Sequence, residues 1–307
     1  MTSNKSGFGP LWVAIGASLW ATDTLFRLPI VNQLHPVWIV FAEHLIALSV
    51  FIPFIIVNKK NLFVLSKKEW LAAALIGIGG SATATVLFTM SFQYVNPSVS
   101  ILLQKFQPIL TVIFAALFLK EKPSRSFYFW AFVAFCAGVG ISFPSFDFSF
   151  ITKKQLLSSQ GALYAFLAAA LWSASTVAGK TLLKKTPASV ATFWRFCFGL
   201  IALSFVIQLF NIPSQSEMLL QTETLRSLAY MSIVPGLIAV FLYYKGLEKT
   251  PATVATFVEL IFPVVAITLN TFALDLPLNS FQLFCGVIIL FAVTMISLPL
   301  KKSHSSK

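Results

Sequence analysis

Ten apolar runs, each close to the ~20 residues that a membrane-spanning helix needs, follow one another along the chain. They lie at 10–30, 36–57, 70–91, 98–119, 126–143, 160–180, 189–210, 226–245, 252–273 and 279–299. Polar residues collect between them, in connectors too short for a folded domain. Pro36, Pro97, Pro187 and Pro251 stand where runs begin, a position at which a missing N–H leaves no helical hydrogen bond unmade. The pattern predicts an all-α integral membrane protein of ten transmembrane helices.

Composition supports that reading and adds an orientation. Only 10% of the 307 residues are charged and 57% are hydrophobic, against ~25% charged in soluble domains, so most of the surface must face a lipid bilayer. A net charge of +12 would point to nucleic acid in a soluble protein. Here the basic residues sit in connectors rather than on one face, and no nucleic-acid partner is expected. Lys59, Lys60, Lys67 and Lys68, then Lys120, Lys122 and Arg125, then Lys180, Lys184 and Lys185 all fall in alternate connectors. Lys5, Lys245, Lys249, Lys301, Lys302 and Lys307 share their side. The other side keeps Lys153, Lys154 and Arg226 beside Glu217, Glu223 and Asp275. By the positive-inside bias, both termini are cytoplasmic. The short polar start MTSNKSGFGP precedes the first run without a cleavage motif, so that run reads as a retained helix.

A comparison of the two halves reveals a duplication. GPLWVAIGASLW (Gly9–Trp20) matches GALYAFLAAALW (Gly161–Trp172), Pro36 matches Pro187, Pro97 matches Pro251, and Pro108 matches Pro263. The order is kept throughout, which divides the chain into a first repeat at 1–147, a linker at 148–158, a second repeat at 159–300 and a basic cytoplasmic tail at 301–307. Five helices per repeat is an odd number, so the second copy enters the membrane from the opposite side. A 5+5 inverted-topology repeat suits alternating access around a site near the midplane.

The two Pro-centred runs, ILLQKFQPILTVIFAALFLKEK and TFVELIFPVVAITLNTFALDLP, together with the 5+5 duplication, resemble the drug/metabolite transporter superfamily, EamA group. The Leu119–Lys122 element resembles that group's Leu-x-Glu turn after the fourth helix, and Leu274-Asp275 departs from it in the second copy. The resemblance implies transport of a small metabolite, often coupled to protons or exchange, by a multi-pass protein of the bacterial cytoplasmic (inner) membrane. It leaves the substrate open, because such transporters carry amino acids, nucleotide-sugars, quaternary amines and other compounds.

Charges inside the spans then become the candidate site, since an ionisable group at the bilayer centre costs at least ~2.5–3.5 kcal/mol and marks a pathway or a buried pair. With a rise of ~1.5 Å per residue, Asp23, Glu43, His44 and Lys105 fall at one level, ~12 Å from the outer face. Arg195 and Glu259 mirror them from the inner face, and Arg27 lies a turn outside Asp23. Pro108 and Pro263 kink their helices and free the carbonyl one turn earlier; Gln104 and Glu259 precede them by four residues. Such loosened backbone at membrane depth suits a cavity wall. Trp20 and Trp172, at matched positions, are candidates to stack on a substrate or to hold a cation. The substrate pathway is thus read as Trp20, Asp23, Arg27, Glu43, His44, Gln104, Lys105, Trp172, Arg195 and Glu259. Glu43 and Glu259 are the candidates for a coupling proton. Rival readings stand beside these: Asp23 and Arg27 neutralise one another at i, i+4, His44 is a packing residue, and the kinks serve packing alone.

Mixed signs in one cavity favour a zwitterion such as an amino acid, with an organic cation as the alternative. Catalysis is not expected, for the chain carries no phosphate loop, H-E-x-x-H, G-x-S-x-G or C-x-x-C. His35, His44 and His304 are scattered, and Cys136, Cys197 and Cys285 lie within apolar runs, so neither metal nor cofactor is expected. A single chain of ten helices suffices to enclose a cavity, and the oligomeric state stays open.

Overall fold

The computed structural model describes residues 8–119, 123, 125–143, 153–182, 186–247 and 258–297. The helix start at Pro251, the elements Lys120–Lys122 and the tail 301–307 lie outside them. Among the described residues the fold is wholly helical. Six stretches are long and apolar enough to cross a membrane: Lys67–Ser91, Pro97–Phe114, Arg125–Ser142, Ser159–Gly179, Ser189–Leu209 and Thr222–Tyr243. Pro36–Phe51, Ile261–Phe272 and Ser280–Ile296 are shorter apolar helices. Large apolar side chains point outward, such as Phe129, Phe132 and Phe135, which are 59–66% exposed along one helix. In water that face would be an interaction surface; in lipid it is simply solvated.

Several runs differ in detail from uninterrupted spans, each for a local reason. The first splits into α1 (Gly9–Ala21) and α2 (Asp23–Val31). At the join, the Thr22 hydroxyl donates to the Leu19 carbonyl at 2.7 Å, competing with the backbone ladder as Thr side chains do. The second run is α3 (Pro36–Leu62), capped by the His35 side chain. The third comprises α4 (Lys67–Leu75), a π-helical segment π1 (Ile76–Thr83) and α5 (Ala84–Ser91). A reciprocal capping box between Ser66 and Glu69 starts it.

The fourth run breaks between α6 (Pro97–Gln104) and α7 (Gln107–Leu119). Pro108 cannot donate to the Gln104 carbonyl, so the chain tightens, with Lys105 N bonding Leu102 O and Phe106 N bonding Leu103 O. The same break recurs before Pro263, where Phe262 N bonds Glu259 O. Helix α8 spans Arg125–Ser142 and α9 Lys153–Leu182. The latter begins inside the stretch read as a linker. Then come α10 (Ala188–Leu209), the short α11 (Ser216–Leu219) and α12 (Thr222–Ile233). A second π segment, π2 (Val234–Ile238), leads into α13 (Ala239–Leu247), followed by α14 (Ile261–Phe272) and α15 (Ser280–Ser297).

The helices pair in a regular way. Helix α1 packs on α13, and α9 packs on α5. These are one contact with the halves exchanged, first helix against third. Likewise α3 packs on α10 and α8 on α15, each helix against its counterpart in the other half. The α1–α13 crossing is close enough to need glycine. A Cβ on Gly246 would lie 2.6 Å from Val13 N and 2.7 Å from Gly9 O, in the manner of small-residue crossings between membrane helices. Gly246→Ala is therefore expected to destabilise the protein by about 1–3 kcal/mol, the usual range for overpacking. Thermal unfolding of the purified variant in detergent measures it, and an unchanged transition would mean that the two helices can separate freely.

Candidate functional site

The charged residues of the spans fall into three clusters. The first is built on Arg27 of α2, which is 5% exposed. Its Nε and NH2 groups donate to both Asp23 carboxylate oxygens, at 2.6 and 2.8 Å. NH2 also donates to Glu43 Oε1 at 2.6 Å, and NH1 reaches Glu43 Oε2 at 3.4 Å and the Thr89 hydroxyl at 3.0 Å. One guanidinium thus binds two carboxylates from α2 and α3 together with a hydroxyl from α5. Its planar fork makes this possible, where an ammonium would act only as a point charge. The i, i+4 pairing of Asp23 and Arg27 exists, but it is one side of a larger knot.

The second cluster holds the residue next to Glu43. Consecutive side chains on a helix diverge by about 100°, and His44 faces α10 instead. Its Nδ1 meets Val40 O at 2.7 Å and its Nε2 meets Ser81 Oγ, in π1, at 2.9 Å. Arg195 Nε donates to the same Ser81 oxygen at 3.1 Å. A carbonyl only accepts, so Nδ1 carries the proton and Nε2 accepts from the serine. Helix α10 passes so close that a Cβ on Gly199 would lie 2.6 Å from the His44 ring. His44 is thus fixed by packing and two hydrogen bonds, in agreement with the packing alternative.

The third cluster lies at the two proline breaks. Lys105 is half-buried, at the break between α6 and α7. Its ammonium lies 4.5 Å from the centre of the Phe262 ring. Glu259 is near enough to interact with it electrostatically. No hydrogen-bond partner or direct ion pair engages the ammonium among the described residues. Glu259 instead accepts a hydrogen bond from the Tyr243 hydroxyl. The Tyr243 ring packs 5.1 Å from Trp20, whose Nε1 donates to Pro235 O in π2 at 3.0 Å. Next to Lys105, Gln104 Oε1 is buried without a partner. Phe262 and Phe88 pack on the same small cluster of Ala21, Ile101 and Ala266. Phe88 lies 5.3 Å from Trp172.

Asp23, Glu43, His44 and Lys105, which depth alone puts at one level, are therefore divided among three clusters. Trp20 and Trp172 make no ring contact with each other among the described residues; each sits beside a π segment of the opposite half. Five contributors lay outside the sequence-derived set: Ser81, Thr89, Tyr243, Phe88 and Phe262. Neutral residues in apolar runs carry no charge signal. Only the glycine-rich IGIGGSAT context of Ser81 hints at irregular backbone.

The two halves have counterparts among known proteins. The EamA-like transporter family matches the chain twice, over residues 7–143 and 159–298. The riboflavin transporter ImpX of Fusobacterium nucleatum is 30% identical over 295 residues, covering 94% of this chain and 97% of that one. An uncharacterised inner membrane transporter of Escherichia coli, YhbE, is 26% identical over 202 residues, covering 65% of this chain and 62% of the relative. A crystal structure of a protein 18% identical in sequence superposes with a TM-score of 0.60, over 94% of this chain and 95% of that one, a likeness of fold. These relatives are transporters rather than enzymes, and the apolar helices make the chain a multi-pass membrane protein. With both halves matched, the chain belongs to the EamA-like transporter family.

Proposed function

We propose that the protein is a secondary transporter that carries a flat heteroaromatic metabolite with polar arms, of the riboflavin kind, by alternating access. The observation that carries this reading is the Lys105 ammonium, which has no hydrogen bond or ion pair among the described residues and lies over the Phe262 ring. An unpaired buried cation is expensive; a cargo that brings a hydrogen-bond acceptor and a π face offsets that cost. The relative named as a riboflavin transporter, similar along its whole length, supports the same cargo class. Exchange of roles between α1–α13 and α9–α5 supports ten helices in a 5+5 inverted repeat, and the distribution of lysines supports cytoplasmic termini.

Amino-acid or other zwitterion transport is the second reading, favoured by one observation: Lys105 and Glu259 present opposite charges near one space without an ion pair of their own. A purely cationic cargo fits less well, because Lys105 would repel it. In this scheme Glu259 is the candidate for a coupling proton, since Glu43 is held by Arg27. Purified protein in liposomes tests the assignment. Riboflavin entry, followed by its own fluorescence, is expected to saturate and to resist competition by amino acids or choline. Amino-acid flux without riboflavin flux would replace the first reading by the second.

A further inference from the structure

A cavity of about 490 Å³ opens at the end of the bundle where α2, α5 and α8 finish and α6 and α15 begin. Its volume lies within the ~300–1,000 Å³ range of small-molecule sites. Among the described residues no charged side chain lines it. The wall instead presents amides and hydroxyls: Asn32, Gln93, Tyr94, Asn96, Ser142 and Gln282.

Part of that polar lining builds the wall. Gln93 Nε2 donates to Val31 O at 2.8 Å, tying α5 to α2. Asn96 Nδ2 donates to Leu276 O at 3.0 Å, and Gln282 Nε2 reaches Ile141 O at 3.3 Å. The rest is uncommitted: the Asn32 amide and the Tyr94 hydroxyl have no partner among the described residues. The floor is aromatic. Phe92 lines the cavity, its ring lies 4.9 Å from Phe88, and Phe88 lies 5.3 Å from Trp172, both edge-to-face. Phe88 in turn packs on the cluster of Ala21, Ile101 and Ala266 that also carries Phe262, the ring beside the Lys105 ammonium.

We propose that this cavity is a peripheral binding site, which takes an uncharged planar ligand carrying hydroxyl or amide groups before it passes Phe92 and Phe88 towards Lys105. Asn32 and Tyr94 bind its polar arms, and Phe92 offers an edge to its ring. The described lining offers no cation to the phosphorylated form of the same ligand. The onward passage rests on the transport reading; the binding site itself does not.

Riboflavin and riboflavin 5′-phosphate are the probes, and the quenching of their fluorescence by the full-length protein in detergent reports binding. Asn32→Ala and Tyr94→Phe remove groups that bond nothing among the described residues, so the fold should tolerate both. Each is expected to weaken riboflavin binding about fivefold, the effect of one hydrogen bond, and to raise the KM for entry in liposomes with little change in kcat. The phosphate is expected to bind at least about tenfold more weakly, since an anion needs a charged partner. Transport by the wild type with both variants unchanged would overturn the peripheral site and leave the transport reading standing. Binding that depends on Asn32 and Tyr94 without any flux would do the reverse. If riboflavin neither binds nor crosses, both fail.

Discussion

Arg27→Ala is expected to be the most damaging single substitution in the protein, at about 3–5 kcal/mol, the range for removing one partner of a buried ion pair. The change strips the shared cation from two carboxylates whose side chains are 19% and 11% exposed. Asp23 and Glu43 then face each other without compensation, and Thr89 loses the guanidinium contact as well. Arg27→Lys should recover little, because one ammonium cannot reproduce two forked contacts. Asp23→Asn should be milder, since Arg27 keeps Glu43. The combined variant Arg27→Met, Asp23→Asn, Glu43→Gln should regain most of the loss, because no buried charge is left unpaired. Thermal unfolding of the purified variants in detergent gives the order directly. A single Arg27→Ala variant as stable as the wild type would mean that the knot has another source of charge compensation.

The knot also marks where sequence reasoning succeeds and where it stops. Depth along a helix follows from residue counting, which groups Asp23, Glu43, His44 and Lys105 at one level. Direction around the helix axis does not follow so simply. Glu43 turns to Arg27 and His44 to Ser81, one residue apart, because helical phase separates them. By its Cα, Arg27 lies a turn outside Asp23. Its long side chain reaches back across that turn and over to α3, so the charge sits deeper than the backbone.

Prolines were the best guides to irregular backbone. Pro108 and Pro263 cannot complete the ladder in any environment, and both breaks fall where that chemistry puts them. The split at Thr22 and the segment π1 carry no such obligatory signal. They depend on a hydroxyl competing for one carbonyl and on how α9 and α10 pack against the third helix. The duplication was legible because pairs such as Trp20 and Trp172 kept their order, whereas the partners of those residues, Tyr243 and Phe88, become visible only once the helices are assembled.

Lys105→Met is expected to show the opposite signature to Arg27→Ala: a more stable protein that no longer transports. The ammonium makes no hydrogen bond or ion pair among the described residues, and the Phe262 face and the nearby Glu259 are its compensation. A charge at mid-membrane costs ~2.5–3.5 kcal/mol, and a cation–π contact returns ~0.5–2 kcal/mol of it. Methionine, of similar length and apolar, should therefore raise stability by about 1–3 kcal/mol. Cargo binding should suffer in the other direction. A hydrogen bond to a charged group contributes ~1.5–3 kcal/mol, so kcat/KM for uptake should fall about 10- to 100-fold. Glu259→Gln separates the cargo readings: it should spare the binding of a neutral heteroaromatic while abolishing that of a zwitterion. Unfolding curves and liposome uptake on the same preparations decide the matter. If Lys105→Met lowers stability and flux together, the lysine is a structural support like Arg27. If it raises stability and removes flux, the chain keeps an unfavourable charge in the membrane because its cargo needs it there.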